Sequence, residues 1–367
     1  LALAFDADFA DLFEVRGTPR ARRGTLHGAE LSAGVTTLSY SGLDDVQRRT
    51  RVRFSPTPDR AEGGCVAFDL HLAAKQTKDI SITIVCEIGK TKVLCGPTFE
   101  YAYGEASAAC ARHAATESRI TTSNEQFNRW LDRSIADLRM MITETAQGPY
   151  PYAGVPWFST PFGRDGLITA FESLWLTPQL AAGVLSFLAD RQAQTQDATA
   201  DAEPGKILHE LRHGEMADLR EIPFGCYYGS VDSTPLFIML AALYHEQTAD
   251  IELIKRLWPS LERALNWLDE YGDLDGDGFV EYDSRSKEGL LHQGWKDSRD
   301  AVFHADGSLA EGPIALCEVQ GYVYAARVGA ARLAAALGDE ARARALREEA
   351  EHFRARFDAA FFCEDLG

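Results

Sequence analysis

Hydrophobic and polar positions alternate with a period of two in several segments before residue 100. The alternation is clearest in residues 66–72 and 80–85, and the second segment is rich in β-branched residues. Weaker strand patterns occur in residues 5–17 and 51–54. Because no helical pattern separates these segments, we predict an antiparallel β-sandwich, partial in this chain, over residues 1–104.

The apolar positions change to a helical spacing after residue 104. Residues 105–122 are predicted to form a linker that contains a short helix at 106–115. Ser123 and Gln126 have the spacing of a capping box, which would open a long amphipathic helix. We predict that its apolar stripe is buried, and the members of the stripe are Phe127, Trp130, Leu131, Ile135, Leu138, Met141 and Ile142.

The remaining periodic segments predict an all-helical domain over residues 123–367. Helices are expected near residues 165–176, 178–193, 232–245, 251–271, 313–337 and 340–358, which gives about seven in all. Long polar loops separate them. Binding and catalytic residues concentrate in such loops, so we expect the functional side chains of this domain to lie there.

One of these loops, Pro156-Trp-Phe-Ser-Thr-Pro-Phe-Gly-Arg-Asp-Gly166, combines three aromatic residues with two prolines and two glycines. Prolines and glycines at fixed positions indicate a loop of defined shape. Its Arg164 and Asp165 would stand at a helix N-terminus beside Trp157 and Phe158. A sugar ring suits this set, because hydroxyls bind the charged groups and C–H faces pack on the aromatic rings. The alternative is that Asp165 caps the helix, pairs with Arg164, and the aromatic side chains are core.

Composition and charge narrow the choice of partner. The chain has 367 residues, of which 46% are hydrophobic, and a formal net charge of −18. Two domains are the expected number for this length. The acidic balance argues against nucleic acid or an anionic membrane surface, since both require a basic patch. A neutral ligand is therefore favoured.

The cysteines and the apolar runs predict a cytoplasmic protein. The seven cysteines are scattered, odd in number and without CxxC spacing, which is typical of a reducing compartment. The longest apolar run, residues 236–244, is far shorter than the roughly 18 residues of a membrane span. No cofactor is implied, and the oligomeric state stays open.

Five motifs in the helical part resemble, in order, those of the amylo-α-1,6-glucosidase family of glycogen-debranching type. They are residues 156–166 above, Lys206-Ile-Leu-His-Glu-Leu-Arg212, Tyr228-Gly-Ser-Val-Asp-Ser-Thr-Pro-Leu236, Gln293-Gly-Trp-Lys-Asp-Ser298 and Cys317-Glu-Val-Gln-Gly-Tyr322. Residues 5–17 and 42–46 also resemble the β-rich domain that precedes the catalytic part in bacterial members. The resemblance thus spans nearly the whole chain.

The resemblance implies an (α/α)6 barrel of the six-hairpin glycosidase type, in which twelve helices form two rings. About seven helices do not close such a barrel, so we expect this chain to contain an incomplete one, truncated at its C-terminus. The implied activity is hydrolysis of α-1,6-glucosidic or short α-glucan bonds, with inversion and release of glucose. The implied partner is an α-glucan or oligosaccharide.

Inverting hydrolysis requires a carboxylic acid that protonates the glycosidic oxygen and a carboxylate that activates water. By similarity to the family's motif, Asp297 is the predicted general acid. The family's base is a glutamate in a C-terminal motif that this sequence does not contain, so no base is assigned. The alternative for Asp297 is an ordinary loop aspartate in the charged segment 296–300.

Motif matching also implies a set of sugar-binding side chains. They are Trp157, Phe158, Arg164, Asp165, Glu210, Arg212, Asp232, Trp295, Lys296, Glu318 and Gln320. Some have ordinary alternatives. Glu210 and Arg212 could belong to a solvated polar loop, Asp232 could be a helix N-cap, and Glu318 could interact with a helix dipole.

The acidic segment that begins at Asp273 resembles the first half of a calcium loop. Asp273, Asp275 and Asp277 have the required spacing, but the twelfth position is Ser284 and not a bidentate glutamate. A hairpin turn is therefore the favoured interpretation, with calcium as the weaker alternative.

Two other functions stay open at this point. The chain could be a carbohydrate-binding or regulatory module without turnover, or a different six-hairpin enzyme of glucoamylase-like or trehalase-like specificity.

Overall fold

The computed structural model describes residues 1–90 and 98–364, and these divide into two units. Unit 1 comprises residues 1–115 and 213–221, and unit 2 comprises residues 116–212 and 222–367. Segment 213–221 is thus grouped with the N-terminal unit, although it lies between two helices of the other unit in sequence.

Unit 1 contains two antiparallel sheets. One has the strand order β2-β3-β4-β7 and the other has the order β1-β6-β5. The strands are β1 (Ala2–Ala4), β2 (Thr25–Ser32), β3 (Val35–Ser41), β4 (Gln47–Ser55), β5 (Arg60–Glu62), β6 (Cys65–Ala67) and β7 (Ser81–Ile88). Unit 1 also contains the short helices α1 (Leu12–Val15) and α6 (Glu215–Asp218) and most of the longer helix α2 (Phe99–Thr116).

The period-two pattern determines which side chains form the core of unit 1. In β3 every second side chain, from Thr36 to Tyr40, is buried. Val52 and Phe54 of β4 form one core cluster with Val66 of β6 and with Phe68, which follows β6. The predicted antiparallel, β-rich N-terminal region is confirmed.

The predicted strand pattern in residues 5–17 is wrong, because a capping box folds part of it into α1. The Asp11 side chain accepts a hydrogen bond from the Phe13 amide (3.0 Å), and Glu14 accepts one from the Asp11 amide (2.9 Å). These local bonds satisfy the first amides of the helix. The strand pattern of residues 66–72 is also shorter than predicted, since β6 ends at Ala67.

Within unit 1, Glu215 of the short helix α6 (Glu215–Asp218) is buried among three donors. It accepts hydrogen bonds from Arg20 Nη1 (2.9 Å), the Tyr40 hydroxyl (2.7 Å) and the Leu43 amide (2.5 Å). Burial alone would raise the pKa of Glu215, but these bonds outweigh it and lower that pKa. The carboxylate therefore holds segment 213–221 in place as an ion.

Unit 2 is helical, as predicted. Helices α4, α7 and α9 pack side by side, and each is followed by a helix that packs back against it. The bounds are α3 (Glu125–Met141), α4 (Gly163–Glu172), α5 (Pro178–Asp190), α7 (Ser233–Thr248), α8 (Ile251–Glu270), α9 (Cys317–Ala336) and α10 (Glu340–Phe361), with a hairpin of β8 (Ile142–Thr145) and β9 (Gly148–Pro151) after α3. Helices α7 and α9 approach closely, since a Cβ at Gly329 would lie 2.7 Å from that of Ala242.

Helix α3 differs from the prediction in two respects. Its cap is Asn124, whose side chain accepts from the amides of Gln126 (3.0 Å) and Phe127 (3.1 Å), so Ser123 does not cap it. Its apolar stripe is not buried, and Trp130 is 62% exposed. Amphipathic spacing shows which face is apolar, but it does not supply an element to cover that face.

The helices within residues 1–90 and 98–364 do not combine the length and the hydropathy of a membrane span. Every one of them is too short or too polar to cross a bilayer.

Candidate functional site

The N-terminus of α4 is fixed by two close approaches that only glycine allows. The Gly163 amide donates to the His209 carbonyl (2.8 Å), and a Cβ at Gly163 would lie 1.8 Å from the Leu208 oxygen. A Cβ at Gly166 would lie 2.6 Å from the Tyr150 hydroxyl. The backbone on both sides of Arg164 is therefore held in one position.

Arg164 joins two of the predicted carboxylates. Its Nη1 donates to Asp232 Oδ2 (3.3 Å) and to the Gly294 carbonyl, and its Nη2 donates to Asp297 Oδ2 (3.1 Å). The guanidinium carbon also lies 5.6 Å from the ring centroid of Trp295. Arg164 is buried, whereas the Asp297 side chain is 43% exposed. The structure thus brings together four residues from three separate sequence motifs. We call Arg164, Asp232, Trp295 and Asp297 the Arg164 cluster.

Asp232 directly precedes α7, but its side chain does not cap the helix. Its two oxygens face Arg164 and the hydroxyl of Ser230, which donates at 2.5 Å. Burial raises the pKa of Asp232, and the charge of Arg164 opposes that rise. The N-cap alternative is therefore wrong, and this carboxylate acts on the orientation of Arg164.

Asp165 lies next to Arg164 in the first turn of α4 and is half-buried. Helix α4 begins at Gly163 without a side-chain cap, so Asp165 does not serve as its N-cap. Burial raises the pKa of Asp165, and the neighbouring Arg164 charge again acts in the opposite direction.

The aromatic loop before α4 exposes two of its three rings. The backbones of Gly154 and Phe158 pair through two hydrogen bonds of 2.9 and 2.8 Å, which fixes the turn that carries Trp157. Trp157 and Phe158 are exposed, and Phe162 is buried. Phe162 is thus core, while the other two rings are accessible to a ligand.

Glu210 and Arg212 lie behind this loop. Both side chains are buried and form an ion pair, so the solvated-loop alternative is wrong. Arg212 Nη1 also donates to the Trp157 carbonyl (2.8 Å). The pair therefore supports the aromatic loop from within.

The remaining predicted sugar contacts separate into buried and accessible side chains. The amide of Gln320 is fully buried, where it donates to the Val280 carbonyl (2.7 Å) and accepts from the Val280 amide (2.9 Å). Gln320 is therefore not among the proposed sugar contacts. In contrast, Trp295, Lys296 and Glu318 are exposed.

Tyr322 is a residue of this site that sequence reasoning did not select. Burial raises its pKa, and the charges of Asp232 and Glu318 add to the rise while Arg164 opposes it. Tyr322 is therefore within electrostatic range of Arg164 and Asp232. A signal existed, because Tyr322 lies one helical turn after Glu318 and ends the same motif.

His209 is buried between the rings of Phe162 and Tyr227, which contact it edge-on at centroid distances of 5.5 and 5.9 Å. Burial, with the charges of Arg164 and Lys206, lowers the pKa of His209 to about 3. The imidazole is therefore neutral and packs as a structural side chain.

The acidic loop folds as a turn. Asp273, Asp275 and Glu281 bring carboxylate oxygens within 4.8 Å of one another, and Asp277 is not part of this group. Asp273 accepts from the amides of Gly276 (2.8 Å) and Gly278 (2.9 Å). These bonds are those of the predicted hairpin turn, and we make no metal assignment.

A comparison with known families provides an independent observation on the N-terminal part. Residues 1–83 match the N-terminal domain of some glycogen debranching enzymes. The match lies outside the helical motifs, and it confirms the resemblance noted for residues 5–17 and 42–46. A search of curated proteins found no match to this chain.

Proposed function

We propose that the protein is a glycoside hydrolase of the glycogen-debranching type, acting on α-1,6-glucosidic or short α-glucan bonds with inversion and release of glucose. The observation that carries the proposal is the arrangement of Arg164 between Asp232 and Asp297, beside exposed Trp295. The match of residues 1–83 to a glycogen debranching enzyme domain supports it. The same proposal assigns the described helices of unit 2 to a six-hairpin barrel.

In this proposal the accessible side chains bind the glucosyl unit. Trp157, Phe158 and Trp295 offer flat apolar faces for the C–H surface of the ring. Asp165 accepts hydrogen bonds from sugar hydroxyls, and the guanidinium edge of Arg164 donates to them. The buried Asp232, Glu210 and Arg212 act through Arg164 and the aromatic loop.

Asp297 is the proposed general acid, because it is the one carboxylate of the Arg164 cluster with a substantially exposed side chain. It would protonate the glycosidic oxygen as the bond to C1 breaks. Asp232 is unsuited to activating water, since it is buried and already bound to Arg164 and Ser230. We assign no base.

Proton NMR of the products tests the proposal. The protein is incubated with panose, maltose, trehalose and a phosphorylase limit dextrin, and the anomer of newly released glucose is followed. Release of β-glucose from panose supports inverting α-1,6 hydrolysis. Release from trehalose or maltose alone would favour a different six-hairpin specificity.

If the protein does not hydrolyse panose, sodium azide distinguishes a protein that lacks only the catalytic base from one that lacks the active site. Azide is a nucleophile that needs no base, so attack at C1 of panose would form β-glucosyl azide and expel maltose once Asp297 has protonated the leaving oxygen. Azide-dependent cleavage without hydrolysis would show that the acid half functions alone. Panose binding without either product would favour the carbohydrate-binding module.

A further inference from the structure

Asp201 is a buried carboxylate that none of the motifs above includes. Its backbone is left-handed (φ 49°), a conformation that aspartate tolerates better than most side chains. Oδ1 accepts from the amides of Arg285 (2.8 Å) and Ser286 (3.0 Å). Oδ2 accepts from the Tyr227 hydroxyl (2.8 Å) and from Gln293 Nε2 (3.2 Å). One side chain thus takes four hydrogen bonds.

The four donors come from two segments that lead into the candidate site. Tyr227 precedes Asp232, and the other three donors lie in the loop that carries Trp295 and Asp297. The two segments also bind each other. The Tyr227 hydroxyl accepts from the Leu290 amide (2.8 Å), and the Gln293 carbonyl accepts from the Val231 amide (2.9 Å).

The connection from Asp201 to the reacting group is short. Gln293 donates a hydrogen bond to Asp201, and the carbonyl of the next residue, Gly294, accepts one from Arg164. The Asp297 carboxylate accepts another from the same guanidinium. The conformation of residues 293–297 is thereby fixed at both ends, by Asp201 at one and by Arg164 at the other.

We propose that Asp201 is a positioning residue that holds the loop of residues 285–297 so that Trp295 and Asp297 meet Arg164. This inference rests on the proposed function for its catalytic consequence. Hydrogen bonds to an ionised acceptor are about twice as strong as neutral ones. Removing the acceptor leaves several buried donors without a partner. A loop freed from this anchor loses the preorganisation that its acid requires.

The test compares Asp201→Asn with Glu203→Gln. Asparagine keeps the volume of Asp201 but turns an NH2 group toward two of its donors. Glu203 is a matched control because it is equally buried and also holds polar partners, the Trp267 indole (2.8 Å) and the Arg285 side chain (3.1 Å). Its carboxylate does not bind the Tyr227 hydroxyl or Gln293 in the described structure.

Hydrogen exchange measured by mass spectrometry reports the loop without any sugar. We expect amides in residues 286–297 to exchange roughly 10-fold faster or more in Asp201→Asn and to change much less in Glu203→Gln, because Glu203 meets this loop only through the Arg285 side chain, with α7 and α8 protected in both. Equal loop exchange in the two variants would overturn the inference, whatever the protein does with sugars.

Cleavage of panose, with azide if needed, reports the catalytic consequence. We expect kcat to fall roughly 10- to 100-fold in Asp201→Asn with a much smaller change in KM, because the acid is displaced while the aromatic platform remains. A fall in kcat no larger than that of Glu203→Gln would also overturn the inference. If the wild-type protein neither binds nor cleaves panose, the proposed function fails, while the exchange result still decides whether Asp201 anchors the loop.

A second variant keeps the test informative if Asp201→Asn does not fold. Gln293→Leu removes one bond between Asp201 and the loop and leaves the carboxylate its other three donors. We expect the same effects at reduced size. Wild-type exchange and wild-type kcat in Gln293→Leu would contradict the proposed anchoring.

Discussion

At the level of single residues, the proposed hydrolysis depends on Asp297, the acid that binds Arg164. We predict that Asp297→Asn abolishes cleavage of panose and leaves its affinity within a few-fold, because the amide keeps the shape but carries no transferable proton. NMR of the products and calorimetric binding measure the two quantities separately. Unchanged turnover would remove Asp297 as the acid, and loss of folding is checked by the melting temperature.

His209 gives a second prediction at this scale, one about pH. Burial holds its folded pKa at about 3, below the unfolded value of about 6.5. Between those values the unfolded chain binds the proton and the folded chain does not, so stability falls as pH falls from 6.5 toward 3. The loss of unfolding free energy is complete below pH 3 and amounts to about 5 kcal/mol.

The measurement is the melting temperature of wild type and His209→Phe between pH 7 and pH 4. Phenylalanine fits a site with two edge-on ring contacts and cannot take up a proton. We expect the variant to lose less stability over this range than wild type, whatever its stability at pH 7. Parallel curves would show that His209 does not carry this part of the acid sensitivity.

The sequence revealed some of these residues and not others. Motifs in the sequence identify four of them, namely Arg164, Asp232, Trp295 and Asp297. Asp201 is not identified in this way, because its role arises from bonds to residues 26 to 92 positions away. The buried state of Gln320 was also hidden, since an amide that binds backbone and an amide that binds sugar look alike in sequence.

At the scale of elements, the N-terminus of α4 depends on Gly163. In Gly163→Ala the new methyl group would lie 1.8 Å from the Leu208 oxygen, so backbone must move. We predict a loss of about 3 kcal/mol or more in unfolding free energy and loss of panose binding, because Arg164 moves with the helix.

The control is Gly321→Ala in α9, where a Cβ meets nothing within 4 Å. This exposed helical position should gain about 0.5–1 kcal/mol, since alanine is the better helix former. Both values follow from urea denaturation. A Gly163→Ala protein as stable as wild type would contradict the close approach at α4.

Helix positions were easier to predict than the surroundings of the helices. Apolar residues and cap signals located α4, α5, α7, α8, α9 and α10 within a few residues, although α8 has a clear apolar face and α7 is apolar almost all round. The same pattern located α3 but not its surroundings, since its stripe ranges from half-buried to exposed in the described structure. A pattern within one helix carries no information about which partner covers it.

At the scale of the whole molecule, the segment of residues 213–221 is the feature that the sequence could not assign. Nothing in this short polar run indicates that it belongs with the N-terminal sheets. The assignment comes from Glu215, whose side chain and that of Arg20 are almost fully buried together.

We predict that Glu215→Ala destabilises unit 1 by about 3 kcal/mol, because the Tyr40 hydroxyl and the Leu43 amide lose their acceptor and Arg20 keeps only its pair with Glu221 and the longer one with Glu14. Trypsin should then cleave faster at Arg220. The control Glu246→Ala breaks an exposed pair with Arg332 and should cost about 1 kcal/mol or less. Equal cleavage rates in the two variants would contradict the role given to Glu215.

Panose affinity in Trp295→Ala and Trp130→Ala shows whether the surface around Arg164 binds sugar. Both tryptophans are more than half exposed, so neither replacement should unfold the protein. Calorimetry should show panose binding weakened roughly 10-fold or more in Trp295→Ala and unchanged in Trp130→Ala. Equal affinity in the two variants, or no panose binding by the wild type, would contradict the account.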